Sequence, residues 1–143
     1  MRLISMSYRY VIDAYAWIEY FRASKAGEVA RRYIESGEAA TPSIVVAEVS
    51  RKLLREVEAG NETPEGRRRR LEFIRASTQI VDLDFETAVE AGEIDVEMKR
   101  QRRGWGLADS IILSTARRVD GKVVTGDEHF RGLRETIFIK DQR

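Results

Sequence analysis

Apolar positions along this chain keep two rhythms, and the change from one to the other marks its elements. Short apolar runs read as strands: residues 8–12, 79–83 around Ile80-Val81, 136–139, and Lys122-Val123-Val124, a β-branched run of the kind a sheet buries on both faces. Glu38-Ala39-Ala40 reads as a weaker short strand. Between them, apolar residues recur every three or four positions, the spacing of one helix face. The first such stretch is Ala14–Arg22, with Trp17, Ile18 and Phe21. The second, residues 24–36, carries Val29, Tyr33 and Ile34 and stops at Gly37. A third runs from Thr41-Pro42 to residue 58 with Val46, Val49, Leu53 and Val57 inward, and a fourth from Thr63-Pro64 to residue 76 with Leu71 and Ile74. Thr as cap with Pro at the first helical position is a start signal in both. Asp84 caps a fifth helix holding Thr87, Ala91, Ile94 and Met98 in register. The sixth, Leu107–Val119, has Ala108, Ile112, Ala116 and Val119 on one stripe and ends at Asp120-Gly121.

Strands alternating with helices imply a parallel sheet with crossover helices on both faces. The expectation is a three-layer α/β/α domain with about five strands, one domain over residues 1–143. With 43% hydrophobic and 34% charged residues, the chain is globular and well solvated, not disordered. No Cys and a single His exclude disulfides, thiolate chemistry and an imidazole-rich metal site. A metal here is held by oxygen, which points to Mg²⁺ or Mn²⁺. A net charge of +1 gives no global field for a polyanion, so only local patches act. No apolar run reaches the ~20 residues of a membrane span. The polar start around Arg2 lacks a signal-peptide core, and a cytoplasmic protein is expected.

Four acids stand at meaningful places. Asp13 and Asp127 each follow a strand, and Glu48 and Asp109 each lie early in a helix that starts at that same sheet edge. Ligands of open α/β sheets bind at this edge. Each acid has an ordinary reading: Asp13 as a helix cap, Glu48 paired with Lys52, Asp109 complementing a helix dipole, Asp127 capping a turn. Brought together, they would repel unless a divalent cation neutralised them. His129 beside Phe130 reads as structural, and Ser43, Ser110 and Ser114 have no base beside them. A phosphoacceptor receiver fits poorly, since Asp13-Ala14 is not an acidic pair. A haloacid-dehalogenase-like phosphatase fits poorly too, because Tyr15 stands where its second Asp belongs.

In order along the chain, four segments resemble the motifs of the PIN-domain ribonucleases, in particular the VapC-type toxins of toxin–antitoxin pairs. They are Tyr10-Val11-Ile12-Asp13, the run from Pro42 to Val49 that carries Glu48, Gly106-Leu107-Ala108-Asp109-Ser110-Ile111-Ile112, and Val123-Val124-Thr125-Gly126-Asp127-Glu128-His129-Phe130. Ala14-Tyr15 departs from the small hydroxyl residue that many relatives carry after the first Asp. The resemblance implies a PIN-like fold and a metal-dependent endoribonuclease. Asp13, Glu48, Asp109 and Asp127 would hold Mg²⁺ or Mn²⁺ and serve catalysis, with Thr125 as ligand or water positioner. It also implies an RNA substrate, a homodimer and a cognate antitoxin; the apolar residues of the early helices around Trp17, Phe21 and Tyr33 are the candidate contact surface, with core packing as their ordinary reading. A catalytically silent PIN-like domain that binds RNA or protein is the alternative. For holding RNA, Lys99-Arg100-Gln101-Arg102-Arg103 is the local basic cluster, with Arg102 and Arg103 on phosphates and Trp105 stacking on an unpaired base; the ordinary alternative is that basic residues favour a helix C-terminus and that Trp105 is buried packing. Arg67-Arg68-Arg69-Arg70 reads as a solvated helix face.

Overall fold

In the computed structural model, residues 7–141 are described, so the polar start around Arg2 and residues 142–143 of the polar tail lie outside them. Five strands form one parallel sheet: β1 (Tyr10–Ile12), β2 (Ala39–Pro42), β3 (Gln79–Val81), β4 (Lys122–Thr125) and β5 (Thr136–Phe138), in the order β3-β2-β1-β4-β5. Six helices connect them: α1 (Ala14–Arg22), α2 (Lys25–Ile34), α3 (Ser43–Glu58), α4 (Pro64–Ser77), α5 (Phe85–Lys99) and α6 (Leu107–Val119). The chain builds outward from β1 to β3 on one side, then returns past β1 to place β4 and β5 on the other. The reversal falls between β1 and β4, where such a sheet opens a crevice at its carboxyl edge.

The central strands are the most buried, with Val11, Ile12, Val123 and Val124 all at 0% exposure. Trp17, Ile34, Val45, Val49, Ile74, Ile112, Leu113 and Phe130 close the core around them. Trp17 is wholly inside, its Nε1 donating to Thr41 Oγ1 at 3.2 Å, so it belongs to no contact surface. The expected N-terminus of the third helix is corrected as well. Thr41 and Pro42 pair with Ile80 and Val81 in the sheet, and α3 starts at Ser43. Pro has no N–H to give, yet it fits the last position of a strand whose hydrogen bonding is ending. At Thr63-Pro64 the cap expected from sequence is present, with Thr63 Oγ1 accepting from Gly66 N at 2.9 Å. Among the described residues no helix is long and apolar enough to cross a membrane.

Candidate active site

Register between β1 and β4 sets the first two polar groups side by side. Val11 pairs with Val123 and Ile12 with Val124, and Asp13 N donates to Val124 O at 3.1 Å. Asp13 and Thr125 therefore leave the sheet together. The Thr125 hydroxyl donates to Asp13 Oδ2 at 2.6 Å and accepts from the Asp127 N–H at 2.9 Å. Asp13 occupies the N-cap position of α1, but its side chain makes no cap hydrogen bond. Its carboxyl is buried, and burial pushes its pKa up to about 7. The Thr125 bond partly opposes that rise, while the charges of Glu48 and Asp127 reinforce it.

α3 and α6 bring two more acids to this edge. Glu48 has its Oε1 buried with no hydrogen-bond partner. Burial raises its pKa first and the charge of Asp109 next, with Asp127 adding and Arg51 opposing. Asp109 sits in the first turn of α6, where its Oδ2 accepts from Gly106 N at 3.0 Å and lies 2.8 Å from His129 Nδ1. Desolvation raises the Asp109 pKa, and those two bonds restrain it. Asp127 opens a 3₁₀ turn, Glu128–Phe130, by accepting from His129 N at 2.9 Å through Oδ1. Asp109, Asp127 and His129 each offer an atom within 4.8 Å of the others.

These residues suit a divalent cation held by oxygen. Four carboxylates press on one another, Asp13 holds its proton up to about pH 7, and a buried carboxylate oxygen of Glu48 has no donor. A cation relieves all three conditions at once. The structure thus brings Asp13, Glu48, Asp109, Asp127 and Thr125 to one edge.

It does not bring the basic loop there in the expected form. Trp105 is 2% exposed, packs on Phe130 with ring centroids 5.1 Å apart, and donates Nε1–H to Ser110 Oγ at 2.7 Å. No base can stack on it, and that assignment is corrected. Burial wins because Ser110, itself bonded to Asp95 at 3.1 Å, offers the indole N–H a partner in the interior. Arg102 turns inward as well, its Nη1 donating to the carbonyls of His129 at 2.9 Å and Arg131 at 2.7 Å. Arg103 is exposed. The sequence pattern gives His129 a structural reading; its place two residues after Asp127 accounts for the backbone turn, but not for the reach of its ring to Asp109 on α6.

A sequence model of the family described as PIN domain matches residues 10–135. A search of curated protein sequences returns no match. Among solved structures, PAE2754 from Pyrobaculum aerophilum superposes with a TM-score of 0.72 at 19% identity, covering 95% of this chain and 93% of that one. VapBC2 from Rickettsia felis, bound to a DNA fragment from its promoter, gives 0.69 at 18%, over 90% and 96%. Mycobacterium tuberculosis VapC20, described as a sarcin–ricin loop cleaving toxin, gives 0.64 at 17%, over 85% and 92%. At such identities the likeness is one of fold.

Proposed function

The chain belongs to the PIN domain family, and on that premise we propose that it is a divalent-metal-dependent endoribonuclease, the toxin of a toxin–antitoxin pair. The observation that carries this reading is the convergence of Asp13, Glu48, Asp109 and Asp127 at the β1/β4 crevice, with Glu48 Oε1 buried and unpartnered. Asp13, Glu48, Asp109 and Asp127 would hold Mg²⁺ or Mn²⁺. When bound, the cation supplies Lewis-acid polarisation of a phosphodiester and a water acidic enough to attack at neutral pH. The chain's own part is to aim and tune the donors. Asp13 Oδ2 is fixed by Thr125, and Thr125 in turn is fixed by the Asp127 N–H, so the two strand-end acids share one hydroxyl. Tyr15 crowds the turn between them, since a Cβ on Gly126 would lie 2.3 Å from its Cε1. The turn therefore keeps Gly.

RNA is held beside this edge by Arg103, with Arg102 shaping the loop that presents it. A solved relative described as cleaving the sarcin–ricin loop and others described as toxin–antitoxin complexes support the substrate class and the partner. The antitoxin seat is the groove of about 340 Å³ between α1 and α4, where Tyr20, Phe21 and Phe73 sit beside Arg69 and Arg70. Tyr20 and Phe73 stack there at 5.8 Å, Arg70 is already ion-paired with Glu62 on the groove wall, and Arg69 is left to meet a carboxylate of a peptide whose large apolar side chain enters the groove. A second copy of the chain covers the outer face of α5, where Phe85, Val89 and Val96 are 77%, 48% and 58% exposed. The site of action is the cytoplasm.

The deciding experiment incubates purified protein with structured and single-stranded RNA in Mg²⁺ or Mn²⁺, and again in EDTA. Cleavage is expected only with the cation, and is abolished when Asp13→Asn and Asp109→Asn are combined. Cleavage that persists in EDTA or in that double variant overturns the metal mechanism.

A further inference from the structure

His129 is held from four directions. Its N–H donates to Asp127 Oδ1 at 2.9 Å, and its carbonyl accepts from Arg102 at 2.9 Å. Its Nδ1 lies 2.8 Å from Asp109 Oδ2, and its Nε2 faces Gly104, where a Cβ would approach to 3.0 Å. Gly104 has φ +82, in the left-handed region, so glycine there serves both the turn and the ring. One residue thus joins the turn after β4, the first turn of α6, and the loop between α5 and α6.

On the metal reading given above, we propose that His129 is a positioning residue for Asp109: Nδ1–H donates to Oδ2 and so presents Oδ1 to the cation. Both bonds that Asp109 accepts, from Gly106 N and from His129, fall on Oδ2, and Oδ1 takes part in neither. A carboxylate with one oxygen held by two donors cannot rotate, and its other oxygen is committed to a single direction. Because Asp109 is an acceptor, the neutral ring carries its proton on Nδ1, and Nε2 is left as the acceptor at the Gly104 side. Direct coordination by Nδ1 would require breaking the 2.8 Å hydrogen bond and removing that proton. Arg102 sets the carbonyl of His129 in place, which gives this inward-turned arginine a purpose other than phosphate binding.

Calorimetric titration of Mn²⁺ into the wild-type chain, His129→Asn and His129→Ala tests this, with circular dichroism showing that each is folded. The amide N–H of Asn occupies much the same place as Nδ1–H, so His129→Asn is expected to bind Mn²⁺ within about threefold of wild type. His129→Ala is expected to bind roughly tenfold or more weakly, as for other groups that orient a ligand from behind. Equal affinity in His129→Ala overturns the role while leaving the metal reading standing. Asn as weak as Ala, with nitrogen hyperfine coupling in the electron-spin-echo spectrum of wild-type Mn²⁺ protein, overturns it in favour of direct coordination. Absence of Mn²⁺ binding by the wild-type chain removes the metal reading and this role together.

Discussion

Thr125 has one proton and uses it on Asp13, while its oxygen receives the Asp127 N–H, so both hydrogen-bonding capacities of the hydroxyl serve the site. Thr125→Val keeps the shape and removes both bonds. It is expected to cost about 1–3 kcal/mol in urea unfolding, because the groups left behind have no partners that water replaces. Thr125→Ser should recover most of this. Asp13 makes a separate forecast. Its pKa rises from 3.8 to about 7 on folding because the carboxyl is buried. Between those values the folded chain retains a proton that the unfolded chain releases, so stability without metal falls as pH rises from about 4 to 7 and levels off above. Glu48 and Asp109, also raised by burial, act with the same sign. Denaturation midpoints measured across that range should decline in the wild-type chain and decline less in Asp13→Asn. A midpoint rising with pH in both would show that the carboxyl is not held protonated.

Among the elements, the α5–α6 pair shows best what pattern reading reaches and where it stops. Spacing puts Thr87, Ala91, Ile94 and Met98 on one face of α5, and all four are buried. The same helix carries a second apolar stripe, Phe85, Val89 and Val96, on the opposite side. The fold is legible because its strands are short, unalternating and separated by helices of clear apolar periodicity, of which α2, α4 and α5 also carry side-chain caps from Ser24, Thr63 and Asp84. The four acids are legible because strand ends and helix starts share one sheet edge. Three features are not. Thr41-Pro42 carries a helix-start signal, and sheet pairing with β3 outweighs it. Trp105 lies in a polar, Gly-flanked loop, and only the tertiary placement of Ser110 and Phe130 shows why it turns inward. The reach of His129 depends on the meeting of α6 with the turn after β4, which no local pattern encodes. The corrected loop predicts a split between neighbours. Arg103→Ala should weaken RNA binding and reduce the magnitude of the log–log salt slope by about 1 for each phosphate no longer neutralised. Trp105→Phe should lower stability by about 1–2 kcal/mol by removing the Nε1 hydrogen bond, and leave RNA affinity unchanged. An RNA affinity that falls with Trp105→Phe while stability holds would restore the indole to the binding surface.

For the whole molecule, the proposed metal site would couple stability to cation binding. Folding gathers four carboxylates at the β1/β4 edge, and burial raises the pKa of Asp13, Glu48 and Asp109. The unfolded chain disperses those charges and has no assembled site. A cation that binds only the folded chain stabilises it by RT ln(1 + [L]/Kd), about 2.7 kcal/mol at a hundredfold excess over Kd. For a domain of this size that corresponds to a rise of roughly 10 °C in Tm. The rise should be large at pH 7.5 and small at pH 5, because at pH 5 the cation must displace the proton that Asp13 retains up to about pH 7. Asp109→Asn should behave in the opposite sense. With one charge fewer, its metal-free Tm should exceed that of the wild-type chain at pH 7.5, while its Mn²⁺-induced rise shrinks. Differential scanning calorimetry at both pH values, with Mn²⁺ or with EDTA, measures all of these quantities on the same samples. If the wild-type Tm is indifferent to Mn²⁺ at pH 7.5, the carboxylates are not a cation site, and their convergence must be explained by packing alone.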